Sequence, residues 1–378
     1  MNRGDRLLLV LPLALTVVGV VMVYSSSAIL GITRYQNPDY FLARQLFRSA
    51  LGVGAMLACA KLRLKVLDRL APWLFAVAAA MLAAVVVTGH MSNGARRWLG
   101  VGFLTLQPTD VARLACIVAL AWWMKRHPPK ESGGWRGVAA PLGLVGLLSG
   151  LILLQPNLSS AGLLIFTGLI LLFLGGARVR HLLVPVGAGV GAVVVMLATH
   201  PYQMKRVATY MGFLFKGDLD TRGAGWQLDQ SLIAIGSGGW LGRGLGAGLQ
   251  KYLFLPEAHT DFIFSIIGEE LGFVGATVLL SLFALYLWRG MRAAARAGDA
   301  FAGMLAAGIT LQIGLYTLVN LAVATGLAPT TGLPLPFVSY GGSALLVNLA
   351  AAGLLYRVSA GNEEAEALAR QRWSREAS

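Results

Sequence analysis

The strongest constraint on this chain is a recurring one. Apolar runs of roughly 17–25 residues, long enough to cross a bilayer, follow one another along its whole length. Ten are read, at 7–30, 43–60, 66–88, 108–125, 137–154, 161–177, 181–199, 262–287, 301–325 and 336–356. The expected fold is therefore an all-α polytopic membrane protein with about ten transmembrane helices. Composition agrees: 56% of the 378 residues are hydrophobic and 13% charged. A soluble domain carries about 25% charged residues, so an ordinary water-soluble enzyme is excluded. The formal charge of +14 sits in short clusters between apolar runs, which points to membrane topology and away from nucleic acid. Cys59 and Cys116 both lie inside apolar runs and suggest neither a disulfide nor a metal site. The first run is too long for a signal-peptide core and lacks a clear cleavage site, so it is kept as a helix.

Lysine and arginine placement sets the expected orientation. Arg3, Arg6, Lys61, Arg63, Lys65, Arg69, Lys125, Arg126, Lys130, Arg136, Arg178, Arg180, Arg289, Arg292 and Arg296 fall on one side, and the tail arginines join them. The opposite loops hold Arg34, Arg44, Arg48, Arg96 and Arg97. Both termini are then cytoplasmic. Residues 1–360 are read as one membrane domain and 361–378 as a polar cytoplasmic tail, solvated or disordered. Residues 200–261 form one large extracytoplasmic loop between spans 7 and 8, far beyond ordinary connection length, which suggests function or a small folded cap. Within it Gln227 to Ile235 is amphipathic, and Gly236 to Gly248 reads as a flexible turn because its spacing fails as a dinucleotide fingerprint.

Acidic residues narrow the chemistry. Those near or within the spans are read as Asp110, Asp261, Glu269 and Glu270, and intramembrane ionisable groups default to functional roles. Asp261 opens the eighth span, on one arc with Ser265, Gly268, Gly272 and Gly275, so it faces neighbouring helices at the outer mouth. It either caps that helix or belongs to a site with Glu257, His259 and Thr260. Glu269 and Glu270 lie on other faces and are read as structural partners of a neighbouring span or as a hinge. Asp110 and Arg113, three residues apart, form an internal ion pair or meet substrate. Arg96 and Arg97 before Trp98 suit a phosphate headgroup, with bulk anionic lipid as competitor. The Gly332–Ser343 block breaks the entry to the last span, and its Ser339, Tyr340 and Ser343 either line a polar groove or pack within the bundle.

The same residues carry a family resemblance. Leu255-Pro-Glu-Ala-His-Thr-Asp-Phe-Ile-Phe, then Gly268-Glu-Glu-Leu-Gly, resembles the signature of the SEDS proteins (shape, elongation, division and sporulation). Gly94-Ala-Arg-Arg-Trp98 with Gln107-Pro, Tyr202-Gln-Met-Lys-Arg206 and Gly332-Leu-Pro-Leu-Pro-Phe-Val-Ser-Tyr-Gly-Gly-Ser343 agree in order, so the resemblance covers nearly the whole chain. Two blocks depart from it. Asp110 and Arg113 stand where the family often has Glu and Lys, and Pro156-Asn-Leu-Ser-Ser160 lacks an acid usual there, so Asn157 is given no proton-transfer or metal role.

The resemblance implies a peptidoglycan glycosyltransferase that polymerises lipid II with a class B penicillin-binding protein as partner. It also implies the catalytic role of Asp261; an elongation-type or a division-type member stays open. The chemistry asks for a base on the acceptor hydroxyl, positive charge at the departing diphosphate and a cavity holding two lipid-linked sugars. Asp261 suits the first. Lys251 leads the candidates for the second, followed by Arg96, Arg97 and Arg206. Asp261 could instead ligate Mg²⁺ or Mn²⁺. A lipid II flippase and a non-catalytic scaffold are the competing classes.

Overall fold

The computed structural model describes the chain except residues 1–3, 93–94, 102–103, 130–134, 200, 217–223 and 377–378. For some further residues, Arg96, Arg206 and 363–376 among them, it describes the backbone alone. Twelve helices are present among the described residues. They are α1 (Leu7–Tyr35), α2 (Tyr40–Lys61), α3 (Leu64–Thr88), α4 (Pro108–Arg126), α5 (Arg136–Leu153), α6 (Leu158–Leu174), α7 (Val179–Thr199), α8 (Pro201–Lys216), α9 (Ala224–Gly238), α10 (Ile263–Ala295), α11 (Ala300–Ala324) and α12 (Gly342–Glu376). Each apolar stretch read from the sequence overlaps a helix, although the last, read from 336, becomes helical only at Gly342. Five of the helical segments are long and apolar enough to cross a membrane: Leu7–Tyr35, Leu64–Thr88, Ile263–Ala295, Ala300–Ala324 and Gly342–Asn362. Lipid offers no partner for backbone N–H and C=O, so helices that satisfy them internally are the solution available to such sequences.

The core runs through the middle of the bundle, built from Leu, Ala, Ile and Phe of α1, α4, α10, α11 and α12. α2 lies along α12 in the most extensive interhelical contact. There a Cβ on Gly353 would run into the Met56 backbone carbonyl, so glycine is what allows the close approach. Asp68 also lies in the first two turns of α3, inside the stretch read as 66–88, an acid that the sequence reading passed over. It is paired with Lys125 at 3.2 Å and Arg126 at 2.7 Å.

Four features differ from expectation. The fold is not purely helical: β1 (His90–Ser92), β2 (Ala95–Val101) and β3 (Leu104–Leu106) make an antiparallel sheet in the order β1-β2-β3, pairing His90 with Trp98 and Leu99 with Leu106. The segment read as a 60-residue loop contains α8 and α9, so of its two readings the folded one holds and only the plain loop fails, with the amphipathic 227–235 stretch inside α9. The helix that begins at Gly342 continues through the expected tail to Glu376.

The fourth is the Gly236–Gly248 stretch, which is a backbone graft and not a flexible turn. α10 is broken at Gly272 (φ 65°, ψ −165°), which exposes peptide groups on both sides of the break. The stretch repairs them. Arg243 N–H and Gly244 N–H donate to the Glu269 and Glu270 carbonyls at 3.0 Å each, while Phe273 and Val274 donate to the Gly239 and Trp240 carbonyls at 2.9 and 3.1 Å. A Cβ on Gly242 or Gly272 would collide with the opposite backbone, so glycine is required at both. The same break interrupts the expected arc from Asp261 to Gly275. Its first part does pack as expected, with Ser265 Oγ 2.6 Å from Ser231 Oγ of α9 and Gly268 against Ile235.

Candidate functional site

At one end of the bundle the N-termini of α4, α6, α10 and α12 come together around a cavity of about 470 Å³. The aligned peptide dipoles give each N-terminus a partial positive charge. Asp261 lies two residues before α10, half-buried, and lines the cavity. Its backbone is fixed from two directions. Asp261 N–H donates to the Glu257 carbonyl at 3.2 Å. The buried Asn320 of α11 donates through Nδ2 to both the Asp261 and Leu333 carbonyls at 2.8 Å. Gly332, at φ 75°, passes so close that a Cβ there would sit 3.5 Å from Asp261 Oδ2. Sequence reasoning missed Asn320, whose buried amide inside an apolar helix was the available signal.

Six of the residues singled out from sequence line this cavity: Arg97, Asp110, Glu257, Thr260, Asp261 and Tyr340. Glu257 and Thr260 form a short turn, with Thr260 Oγ1 donating to Glu257 Oε2 at 2.9 Å. Arg97 reaches from β2 to the Gln155 carbonyl at 3.1 Å and to the Pro156 carbonyl, tying the sheet to the entry of α6. Asn157 caps α6 by accepting from Ser160 N–H at 3.3 Å, a role consistent with its giving no acid to the site.

Four more stand behind the wall. Arg113 is almost fully buried, donates to Asp110 Oδ1 at 2.7 Å and lies 4.1 Å over the Tyr316 ring. Of the two readings of that pair, the geometry is the internal one, with Asp110 alone reaching the cavity. Ser343 donates to Asp110 Oδ2 at 2.6 Å and accepts from Gln107 N–H at 2.9 Å, locking the starts of α4 and α12 together. Ser339 donates to the Thr260 carbonyl at 2.5 Å and accepts from Leu335 N–H at 2.8 Å. His259 is buried between Phe41 and Tyr340, ring centroids 4.8 and 5.5 Å away, and its carbonyl accepts from Tyr340 N–H at 2.9 Å. Burial holds the His259 pKa below the ordinary histidine value; Glu257 opposes that shift and Arg34 adds to it.

Lys251 is elsewhere. Its ammonium is buried and bonded to Glu270 Oε1 at 2.9 Å, the Gly246 carbonyl at 2.6 Å and Ser25 Oγ at 3.2 Å. An ammonium has three protons, so three acceptors leave none for a phosphate. Glu270 also accepts from Ser25 of α1, and Glu269 accepts from Leu249 and Gln250 N–H at 2.7 and 3.2 Å. Both glutamates are thus structural partners gripping the graft. The side chains of Arg96 and Arg206 lie outside the described residues.

A cation not anticipated from sequence stands behind the wall. Arg48 of α2 is 8% exposed, with its guanidinium 4.8 Å over the Tyr340 ring and beside Gly342. Its Nη1 has no hydrogen-bond partner among the described residues.

Comparison with known proteins settles the family. The family model described as "Cell cycle protein", covering FtsW, RodA and SpoVE, matches residues 5–364. The chain belongs to the FtsW/RodA/SpoVE family. Stage V sporulation protein E of Bacillus subtilis is 37% identical over 94% of this chain and 96% of its own length. A probable peptidoglycan glycosyltransferase FtsW of Trichlorobacter lovleyi is 39% identical over 94% and 93%. Among solved structures, a chain of a peptidoglycan synthase complex, described as coordinating polymerization and crosslinking, superposes with a TM-score of 0.78 at 32% identity over 96% of this chain and 99% of its own. The rod shape determining protein RodA of Thermus thermophilus follows at 0.69 and 30%, over 94% and 96%. As an FtsW/RodA/SpoVE member with several apolar helices, the chain is a multi-pass protein of the inner membrane.

Proposed function

We infer that this FtsW/RodA/SpoVE protein is a peptidoglycan glycosyltransferase that polymerises lipid II into glycan strands, with a class B penicillin-binding protein as partner. The observation that carries the reading is Asp261, a half-buried carboxylate in a cavity where four helix N-termini converge. A relative whose printed name is a peptidoglycan glycosyltransferase and a neighbour from a synthase complex support it. The membrane domain crosses the bilayer ten times with both termini inside, and the segment 200–261 and the cavity lie at the outer face. The lysine and arginine bias supports that orientation.

In the proposed step the 4-hydroxyl oxygen of the acceptor sugar attacks the anomeric carbon of the donor from the side opposite the diphosphate. The new glycosidic bond forms with inversion as the bond to the lipid diphosphate breaks. Asp261 takes the hydroxyl proton as the bond forms, a contribution of about 10²–10⁴-fold. The diphosphate departs with its electron pair toward positive potential. With Lys251 committed to Glu270, that potential comes from Arg97 at the cavity edge, Arg48 behind Tyr340 and the helix N-termini. Asp261 and Glu257, hard oxygen donors that both line the cavity, are the residues that would hold a divalent cation such as Mg²⁺ or Mn²⁺, although the described residues contain no group of three or more His, Cys, Asp or Glu side chains suited to one. Such an ion would add Lewis-acid stabilisation of the diphosphate.

The test is polymerisation of purified lipid II by the full chain with and without its penicillin-binding partner, run beside a vesicle assay for transbilayer movement of labelled lipid II. Glycan chains longer than the input disaccharide are expected. Movement of lipid II with no chain growth would favour the flippase class.

A further inference from the structure

A second cavity, of about 220 Å³, lies at the other end of α10 from Asp261. It is walled by Arg289 and Arg292 of α10, Arg296 just after its end, Asp5 just before α1, and Ser359 and Asn362 of α12. Spacings of three and four residues put the three arginines on one face at the end of the helix. Among the described residues, three guanidiniums and one carboxylate line the cavity. Arg289 pairs with Asp5 at 3.1 Å, and Arg292 and Arg296, both exposed, have no ion pair among the described residues. Arg289 Nε is buried with no hydrogen-bond partner among the described residues, so an acceptor is missing where a charged donor has been taken from water.

Trp288 identifies the setting. It is 53% exposed, and the Arg289 and Arg292 guanidiniums lie 4.9 and 5.5 Å from its ring. An exposed indole flanked by arginines belongs at the level of lipid headgroups. Guanidinium forks suit phosphate oxygens, and the volume is small for a nucleotide but adequate for a single phosphate group.

We propose that this cavity binds the phosphate of an anionic phospholipid, which bridges the start of α1 to the ends of α10 and α12. Asp5 N–H donates to Ser359 Oγ at 2.7 Å and Asn362 Nδ2 donates to the Ala293 carbonyl at 2.9 Å, so the three elements already meet there. A bound phosphodiester would supply the missing acceptor for Arg289 and set one negative charge against Arg292 and Arg296.

The experiment measures phosphatidylglycerol retention by native mass spectrometry and thermal stabilisation in phosphatidylcholine nanodiscs titrated with phosphatidylglycerol. It compares the full-length wild type with an Arg292→Gln/Arg296→Gln double variant. Both side chains are exposed and the Arg289–Asp5 pair is kept, so folding is preserved. Arg63→Gln/Arg69→Gln, also exposed and basic, removes the same charge elsewhere. Apparent phosphatidylglycerol affinity should fall about tenfold or more in the Arg292/Arg296 variant and less than about twofold in the other, since charge-assisted bonds to phosphate are lost only in the first. Equal losses in both variants, or no preference of the wild type for phosphatidylglycerol, would overturn the site. Equal stabilisation by inorganic phosphate would overturn the lipid as its source.

Discussion

At the scale of single residues, two positions mark the limits of sequence reasoning. Lys251 sits in the right loop, and proximity in sequence to Glu257 and Asp261 made it the natural partner for a diphosphate. The structure turns it into the bundle, because Glu270 at 0% exposure needs a cation more than solvent does. Such a pair is costly to break and weak evidence of net stability. Lys251→Met should therefore destabilise by about 3–5 kcal/mol, and Lys251→Met with Glu270→Gln should recover most of it. Thermal melting of the purified variants checks this; a double variant as unstable as the single would contradict it.

His259 makes a second residue-scale prediction. Its folded pKa lies below the ordinary value of 6.5 because burial penalises the imidazolium. The unfolded or opened segment takes up a proton first as pH falls, so stability is lost from about 6.5 downward until the folded pKa is reached. The melting midpoint of the wild type should drop over that interval more than that of His259→Gln, and parallel curves would show that His259 is not the group responsible.

At the scale of elements, helices were legible because a lipid-solvated backbone leaves almost no other choice and long apolar runs announce it. The strands were not. β1 and β3 have three residues each and β2 carries Arg96, Arg97 and Gly100, so no alternation of useful length exists to read. α8 escaped for the opposite reason: it is short and its composition resembles a loop, whereas α9 showed only through the amphipathic 227–235 stretch. The break in α10 was hidden because a glycine inside an apolar run is also the mark of close helix packing. It is the element on which the site turns, since Glu269 and Glu270 on its near side hold the segment leading to Asp261. Gly272→Ala combines a positive φ with a backbone collision and should cost about 2–6 kcal/mol. The loss should appear as lower folded yield and melting midpoint, whereas a wild-type midpoint would mean that the graft is not needed.

At the scale of the whole molecule, the site was legible as a list and not as an arrangement. Asp261, Glu257, Thr260, Arg97, Asp110 and Tyr340 are spread over some 240 positions, yet they line one cavity. Sequence reading drew them together by their cost in a membrane and by resemblance to a family. It had no means of separating those that line the cavity from Ser339, Ser343, His259 and Arg113, which brace it from behind, because that distinction depends on which way neighbouring helices lean. The resulting account has one carboxylate at its centre, braced by Asn320 and Gly332, beneath converging helix N-termini. The most direct test is lipid II polymerisation by Asp261→Asn, purified with its penicillin-binding partner and checked for folding and assembly. The amide keeps the shape and removes the base, so the account predicts a rate at least about 10²-fold below wild type with the complex intact. Polymerisation at the wild-type rate would contradict it.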